Sequence, residues 1–358
     1  MADTASDDVG AGDADTPGYD RPAVEAWIAD NVDVLHGPFE WQQLEGGHSN
    51  LTYLLVASDG ARAVIRRPPL GELLPKAHDM RREYALISGL GPTAVPVPTA
   101  LGLCEDLDVT GALFYVMSEV EGRAMYTAEA VEEWLSVDAR DQVGRSFMET
   151  LAALHSIDPD DVGLGELGRR DGYVARQLKT WYGSWNASKE DASLDDQRIH
   201  ELHALLSDRI PEQGPGRVVH GDFGLHNCML DRTGRVSAVL DWEIATLGDP
   251  LADFAYALNG WSDPDDEVVV SHETATTAPG FARRDALADH YASITGADLS
   301  SLDYYRAFNY FKTACILHGV YARYVQGKKS TEGVDVPALR ERMLATIDLA
   351  AARAAELG

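Results

Sequence analysis

Hydrophobic positions alternate along the first third of the chain and recur every three or four residues along the rest. In PAVEAWIADNV, Val24, Trp27 and Ile28 share one side and predict a short helix. LEGGHSNLTYLLVAS reads as a glycine turn entering a strand, the SDG of Ser58–Gly60 as a tight turn, and ARAVIRR as the returning strand. PPLGELLPKAHD is an irregular link to a helix that starts near Asp79, and VPVPTALGLCED and ALFYVMSEVEG add two strands separated by an acidic turn. The texture changes at Gly122. ARDQVGRSFMETLAALHSI carries Val143, Phe147, Leu151 and Leu154 on one helical face, and helical patterns continue through YYRAFNYFKTACILHGVYARYV. One hairpin interrupts them, CML and VSAVL about a DRTG turn. No internal repeat is evident. The pattern predicts a disordered acidic tail over 1–20, a β-rich lobe with one inserted helix over 21–117, and a helical lobe over 118–358.

The length of 358 residues supports two lobes, because it exceeds the size at which a single core stops growing. A formal net charge of −28 argues against binding a nucleic-acid backbone, which needs a basic footprint. No apolar run is long enough to span a bilayer, and the N-terminus lacks the basic start and apolar centre of a signal peptide. A cytoplasmic protein with no membrane association and no evident protein partner is expected. Cys104, Cys228 and Cys315 are scattered and form neither a disulfide framework nor a zinc motif.

The candidate chemistry lies around the hairpin, in HGDFGLHN and VLDWE. Asp222 and Asn227 precede its first strand and Asp241 follows its second, so the turn should bring Asn227 and Asp241 within reach of one cation. Carboxylate and amide oxygens suit Mg²⁺, which shares its shell with waters and substrate phosphates. Asp222, upstream in the loop, could accept or steer a hydroxyl proton, the arrangement of kinase catalytic loops. A zinc reading through His220, Asp222 and His226 lacks the helical spacing of a metalloprotease pair.

A kinase reading also requires a glycine-rich turn, a cation on the next strand and a carboxylate on the next helix, and all three occur in order. Gly46 and Gly47 permit close backbone approach, with Ser49 and Asn50 as hydrogen-bond donors. Val64 and Arg66 share one face of their strand, which favours Arg66 over Arg67 as the nucleotide-facing cation and leaves Arg67 open. Glu83 sits on the helix that follows.

HGDFGLHN, VLDWE and GDPLADFAY resemble the catalytic core of the aminoglycoside phosphotransferase and choline kinase superfamily. GGHSNLTYLL, VIRRPP, LLPKAHDMRREY and NYFKTACILHGVYAR are similar to its branch of kinase-like modules found fused to acyl-CoA dehydrogenases. The resemblance spans about Phe39 to Arg323 and implies an α+β, bilobal protein-kinase-like fold. It implies ATP and Mg²⁺ as cofactors, Asp222 as the catalytic base or hydroxyl-orienting group, Asn227 and Asp241 as metal ligands, and Glu83 paired with the strand cation. The MSEVEG connector, with Met117 and Glu119, would pass behind adenine. Asp249 and Asp253 would support the catalytic loop or helix packing, and His155 would brace the core. Where the superfamily often has lysine this chain has Arg66, which keeps the charge but changes its shape. No APE motif follows Asp241, so a small-molecule hydroxyl is favoured over a protein acceptor. The branch points to a hydroxyacyl-CoA or related hydroxy acid. The alternatives are an aminoglycoside or other sugar or amino-alcohol kinase, and a pseudokinase-like protein that binds nucleotide or acyl-CoA without transfer.

Overall fold

The computed structural model describes residues 16–44, 50–71, 78–266, 274–331 and 333–357. The chain divides into two compact units, Met1–Glu121 with Ser237–Glu243, and Gly122–Val236 with Ile244–Gly358. No helix among the described residues is long and apolar enough to cross a membrane.

In the first unit, α1 (Arg21–Asn31) starts where the Asp20 carboxylate accepts the amide of Ala23 at 3.2 Å and Pro22 presets the first turn. Strands β1 (Phe39–Gln43), β2 (Leu51–Ala57) and β3 (Arg62–Arg67) run antiparallel. They are followed by α2 (Met80–Leu90), β4 (Ala100–Cys104), the short α3 (Leu107–Thr110) and β5 (Phe114–Ser118), giving one sheet in the order β1-β2-β3-β5-β4. Asp79 caps α2 by accepting the amides of Arg81 at 3.1 Å and Arg82 at 3.3 Å. The β3–β5 register pairs Val64 with Met117 and Arg66 with Tyr115, so these four side chains share one face of the sheet. Tyr53, Leu55, Ala63, Ile65, Phe114 and Val116 form the other face and pack against Val24 and Ile28 of α1.

Tyr19 joins that core fully buried, and its hydroxyl donates to the carbonyl of Leu51 at 3.1 Å. Residues 16–20, the end of the segment expected to be a disordered tail, are therefore held in place by Tyr19. A single aromatic inserted among three neighbouring rings outweighs a polar average that composition alone reports. Residues 1–15 lie outside the described residues.

The second unit opens with α4 (Ala128–Trp134), α5 (Val137–Ser156), α6 (Tyr173–Ala192) and α7 (Gln197–Asp208). Short strands β6 (Arg217–Val219), β7 (Cys228–Leu230), β8 (Val236–Val239, which from Ser237 belongs to the first unit) and β9 (Thr246–Gly248) follow, then α8 (Pro250–Gly260), α9 (Arg284–Thr295), α10 (Leu302–Val325) and α11 (Val336–Ala355). Trp185 of α6, Phe308 and Phe311 of α10, and Met343 and Ile347 of α11 pack together in one hydrophobic core cluster. β6 pairs antiparallel with β9, Val218 opposite Leu247, which frames the loop leaving Val219. That three-residue pair is too short for alternation to reveal in sequence. The turn after β7 closes through Asp231 N to Arg235 O at 3.0 Å, with Gly234 at φ +83°.

Candidate active site

β6 delivers HGDFGLHN into a loop held from behind through its backbone. Asp253, in the first turn of α8 and buried, accepts the amide of His220 at 2.7 Å and that of Gly221 at 2.8 Å. His155, in the last turn of α5, lies with Nε2 3.3 Å from the same carboxylate and Nδ1 2.7 Å from the Tyr291 hydroxyl. Burial works against the Asp253 charge, but His155, His220 and the Gly221 amide outweigh it and hold its carboxyl below the ordinary range. Asp249 caps α8 through Leu251 N at 3.0 Å and accepts from Tyr305 at 2.6 Å and Gln213 at 2.8 Å. Both acidic residues of the GDPLAD stretch brace structure.

Asp222 faces outward from this frame. Its Oδ1 accepts the Tyr256 hydroxyl at 2.5 Å, and its Oδ2 lies 3.3 Å from His226 Nε2. The Asn227 amide nitrogen donates to the Asp222 carbonyl at 3.0 Å and lies 3.3 Å from Oδ2. That bond turns the Asn227 amide oxygen away from the carbonyl. The Asp222 amide donates to His220 Nδ1 at 3.3 Å. Burial opposes ionisation of Asp222, yet His226, Tyr256 and His220 prevail and hold its carboxyl well below the usual range.

Asp222 also lines a cavity of about 440 Å³ formed within the second unit. Trp181, Phe223, Ile316 and Leu317 give it apolar walls, and Lys312 and Arg342 contribute cations. Among the described lining residues Asp222 is the one carboxylate. A larger cavity of about 1020 Å³ lies against His155, Asp249 and Tyr305 but does not include Asp222. The Asp222 carboxylate opens onto the smaller cavity and not onto the larger one.

In the first unit, Arg66 gathers the other polar residues. Its Nη2 donates to Asp241 Oδ1 at 2.7 Å, and its Nε lies 3.2 Å from Glu83 Oε2. With the Asn50 amide oxygen turned toward Arg66, it accepts from Nη2 at 2.6 Å and Nε at 2.9 Å, while its nitrogen donates to His78 Nδ1 at 3.0 Å. Burial opposes the Arg66 charge, but Tyr115, Glu83 and Asp241 outweigh it and raise its pKa. Glu83 carries the desolvation cost. Burial pushes its carboxyl up to about 7 against the pull of Arg66, although Tyr115 donates to Oε2 at 3.0 Å. Asp241 is held at φ +60°, the left-handed region that non-glycine residues seldom occupy. Its strand is tied to this unit by Val239 N to Pro96 O at 2.8 Å and by the Ser237 hydroxyl to Glu121 O at 2.8 Å.

The residues singled out by sequence thus fall into two groups. Asn50, Arg66, Glu83 and Asp241 converge in the first unit, and Asp222 and Asn227 touch in the second. Arg67 points to the opposite sheet face, where it donates to the carbonyls of Gly18 and Thr110, so its role is structural. Val64 and Met117 stand opposite each other, and the Glu119 side chain is taken by Arg62 Nη2 at 2.9 Å. Gly46, Gly47 and Ser49 lie outside the described residues. Sequence reading passed over Tyr256, Lys312 and Tyr115, which lie in apolar runs where the pattern signals core. Among the described residues no group of three His, Cys, Asp or Glu side chains converges as a metal site. Asp241 in the first unit carries carboxylate oxygens and Asn227 in the second an amide oxygen, each of a donor class that suits magnesium.

Residues 40–287 match the family described as "Phosphotransferase enzyme family". Acyl-CoA dehydrogenase family member 11 of Gallus gallus is 36% identical over 303 residues, covering 83% of this chain and 38% of that protein. The human protein of the same name is 33% identical over 322 residues, covering 88% and 40%. The chain therefore spans about two fifths of the length of these relatives. A candidate aminoglycoside phosphotransferase from Ralstonia eutropha JMP134 superposes with a TM-score of 0.81 at 29% identity, covering 94% of this chain and 99% of that one. Choline kinase from Cryptosporidium parvum Iowa II superposes with a TM-score of 0.60 at 10% identity, covering 91% and 96%, a likeness of fold. The fold is kinase-like, as the sequence resemblance implied.

Proposed function

Because this chain belongs to the phosphotransferase enzyme family and is a small-molecule kinase, we propose that it transfers the γ-phosphate of ATP, with Mg²⁺, to the hydroxyl of a hydroxyacyl-CoA or related hydroxy acid. One observation carries the reading: a carboxylate, Asp222, held by Tyr256 and His226, opens onto an apolar-walled cavity that also carries two cations. In this account Asp222 orients the acceptor hydroxyl and takes its proton as the phosphoryl group moves. Asn227 of the second unit and Asp241 of the first would each offer an oxygen to magnesium, which would neutralise charge on the transferring phosphate. Arg66, buttressed by Glu83, serves the nucleotide phosphates together with Gly46, Gly47, Ser49 and Asn50. Val64, Met117 and the backbone at Glu119 flank the base. Catalysis on this plan rests on positioning and electrostatics.

The cavity wall bears on the acceptor. A polycationic aminoglycoside would meet Lys312 and Arg342 with only Asp222 in compensation. An acyl chain would instead lie along Trp181, Ile316 and Leu317, with its carbonyl or carboxylate toward a cation. Two relatives whose names include acyl-CoA dehydrogenase add support. A cytoplasmic setting fits three free, buried cysteines.

The test is a mass-spectrometric search for an added phosphate across hydroxyacyl-CoAs, hydroxy acids, sugars, choline-like alcohols and aminoglycosides, with Mg²⁺ and ATP. Phosphorylation of the hydroxyacyl substrates supports the proposal. Phosphorylation of aminoglycosides alone refutes the acceptor class, and nucleotide binding without any transfer refutes the kinase reading in favour of a binding protein.

A further inference from the structure

HGDFGLHN contains no lysine or arginine, yet an ammonium reaches its backbone from α10. Lys312 is buried, and its Nζ donates to the carbonyl of Gly221 at 3.1 Å. The same nitrogen lies 5.0 Å from the centroid of the Tyr256 ring, whose hydroxyl holds Asp222. The amide of Gly221 is bound from the other side by Asp253 at 2.8 Å. The residue immediately before Asp222 is therefore gripped at both its N–H and its C=O by opposite charges, one from α8 and one from α10.

Gly221 needs that grip. It sits at φ +85°, a conformation that glycine reaches without strain but does not prefer over others. With no side chain to lock it, the peptide leading to Asp222 takes its orientation from what binds its polar groups. A lysine kept only to fill space would be unnecessary, because an unbranched apolar side chain fills the same volume without desolvating a charge. Burial presses the Lys312 pKa down, and the neighbouring Asp253 and Asp222 carboxylates oppose that pressure.

We propose that Lys312 is a positioning residue for phosphoryl transfer, fixing the Gly221–Asp222 peptide and with it the direction in which Asp222 meets an acceptor hydroxyl in the cavity. The proposal rests on the role given to Asp222 above. It adds a second element, α10, to the machinery of the loop, and it makes the Tyr256 ring a shared support, touched by Lys312 on its face and bonded to Asp222 at its hydroxyl.

The experiment compares wild type, Lys312→Met, Asp222→Asn and the double variant. Turnover at saturating substrates is expected to fall on the order of tenfold to a hundredfold in Lys312→Met, as for a misaligned reacting group. ATP affinity is expected to stay within about twofold, since this lysine is not placed on the nucleotide. In the Asp222→Asn background the same change should alter residual turnover by less than about twofold, because the residue through which Lys312 acts is already gone. Amide hydrogen exchange in the peptide 218–227 should quicken by about tenfold or more in Lys312→Met. Unchanged exchange, unchanged turnover, or an equal loss in both backgrounds each overturns the proposal. If Asp222→Asn itself turns over like wild type, the reading of Asp222 fails first, and the exchange result alone then decides whether Lys312 pins the loop.

Discussion

The Tyr256 hydroxyl donates to Oδ1 of Asp222 at 2.5 Å, across 34 residues of sequence. The bond fixes one oxygen of the carboxylate and leaves its direction to be set by His226 and Asn227 at the other. Tyr256→Phe keeps the ring that Lys312 faces and removes the hydroxyl that donates to Asp222. A hydrogen bond to a charged group is worth roughly 1.5–3 kcal/mol, so stability should fall by about that much, and turnover should fall roughly tenfold to a hundredfold as Asp222 loses one of its supports. Steady-state kinetics on the variant check this, and a rate within about twofold of wild type would contradict it.

Asp253 supports the same loop from below. Asp253→Ala leaves the amides of His220 and Gly221 and the His155 ring without their buried carboxylate. A loss of about 3–5 kcal/mol in unfolding free energy is expected, measured by denaturant titration. A loss below about 1 kcal/mol would mean that water replaces the carboxylate easily and the brace is dispensable.

Arg66 divides its guanidinium between Asp241 through Nη2 and Glu83 through Nε. A lysine offers one compact charge and cannot serve both groups in this geometry. Arg66→Lys should cost roughly 1.5–3 kcal/mol of stability, the value of one charge-assisted bond. Equal stability of the two proteins would show that a lysine reaches both carboxylates after all.

Glu83 gives a pH signature of defined sign. Its folded pKa is raised by burial from the ordinary 4.5 to about 7, so between those values the native state keeps a proton that the unfolded chain has released. Stability from this group is fully present below the unfolded value and is lost as pH rises from about 4.5 to about 7. Glu83→Gln has nothing to titrate, and its stability should be flatter over that window. A slope as steep as that of wild type would place the titration elsewhere.

The fold was legible where periodicity was strong. α2 begins at Met80, capped by Asp79 where a helix start was expected, and the apolar face of α5 is the one read from Val143, Phe147, Leu151 and Leu154. What escaped was short or remote. β6 and β9 have three residues each, and Tyr19 is one ring in a polar stretch. At the candidate site, spacing in the sequence singled out Asp222 and Asn227, and alternation along β3 separated Arg66 from Arg67. Tyr256 and Lys312 could not be found that way. They come from helices whose apolar neighbours make them resemble core, and only tertiary packing brings them to Asp222 and Gly221.

The central claim is that Asp222 carries phosphoryl transfer. The direct measurement is transfer to the preferred acceptor by wild type and by Asp222→Asn, alongside Mg²⁺·ATP binding followed by thermal shift. The variant is expected to bind nucleotide as wild type does while its transfer rate falls on the order of 10²–10⁴-fold. An Asp222→Asn protein that transfers phosphate at the wild-type rate would contradict it.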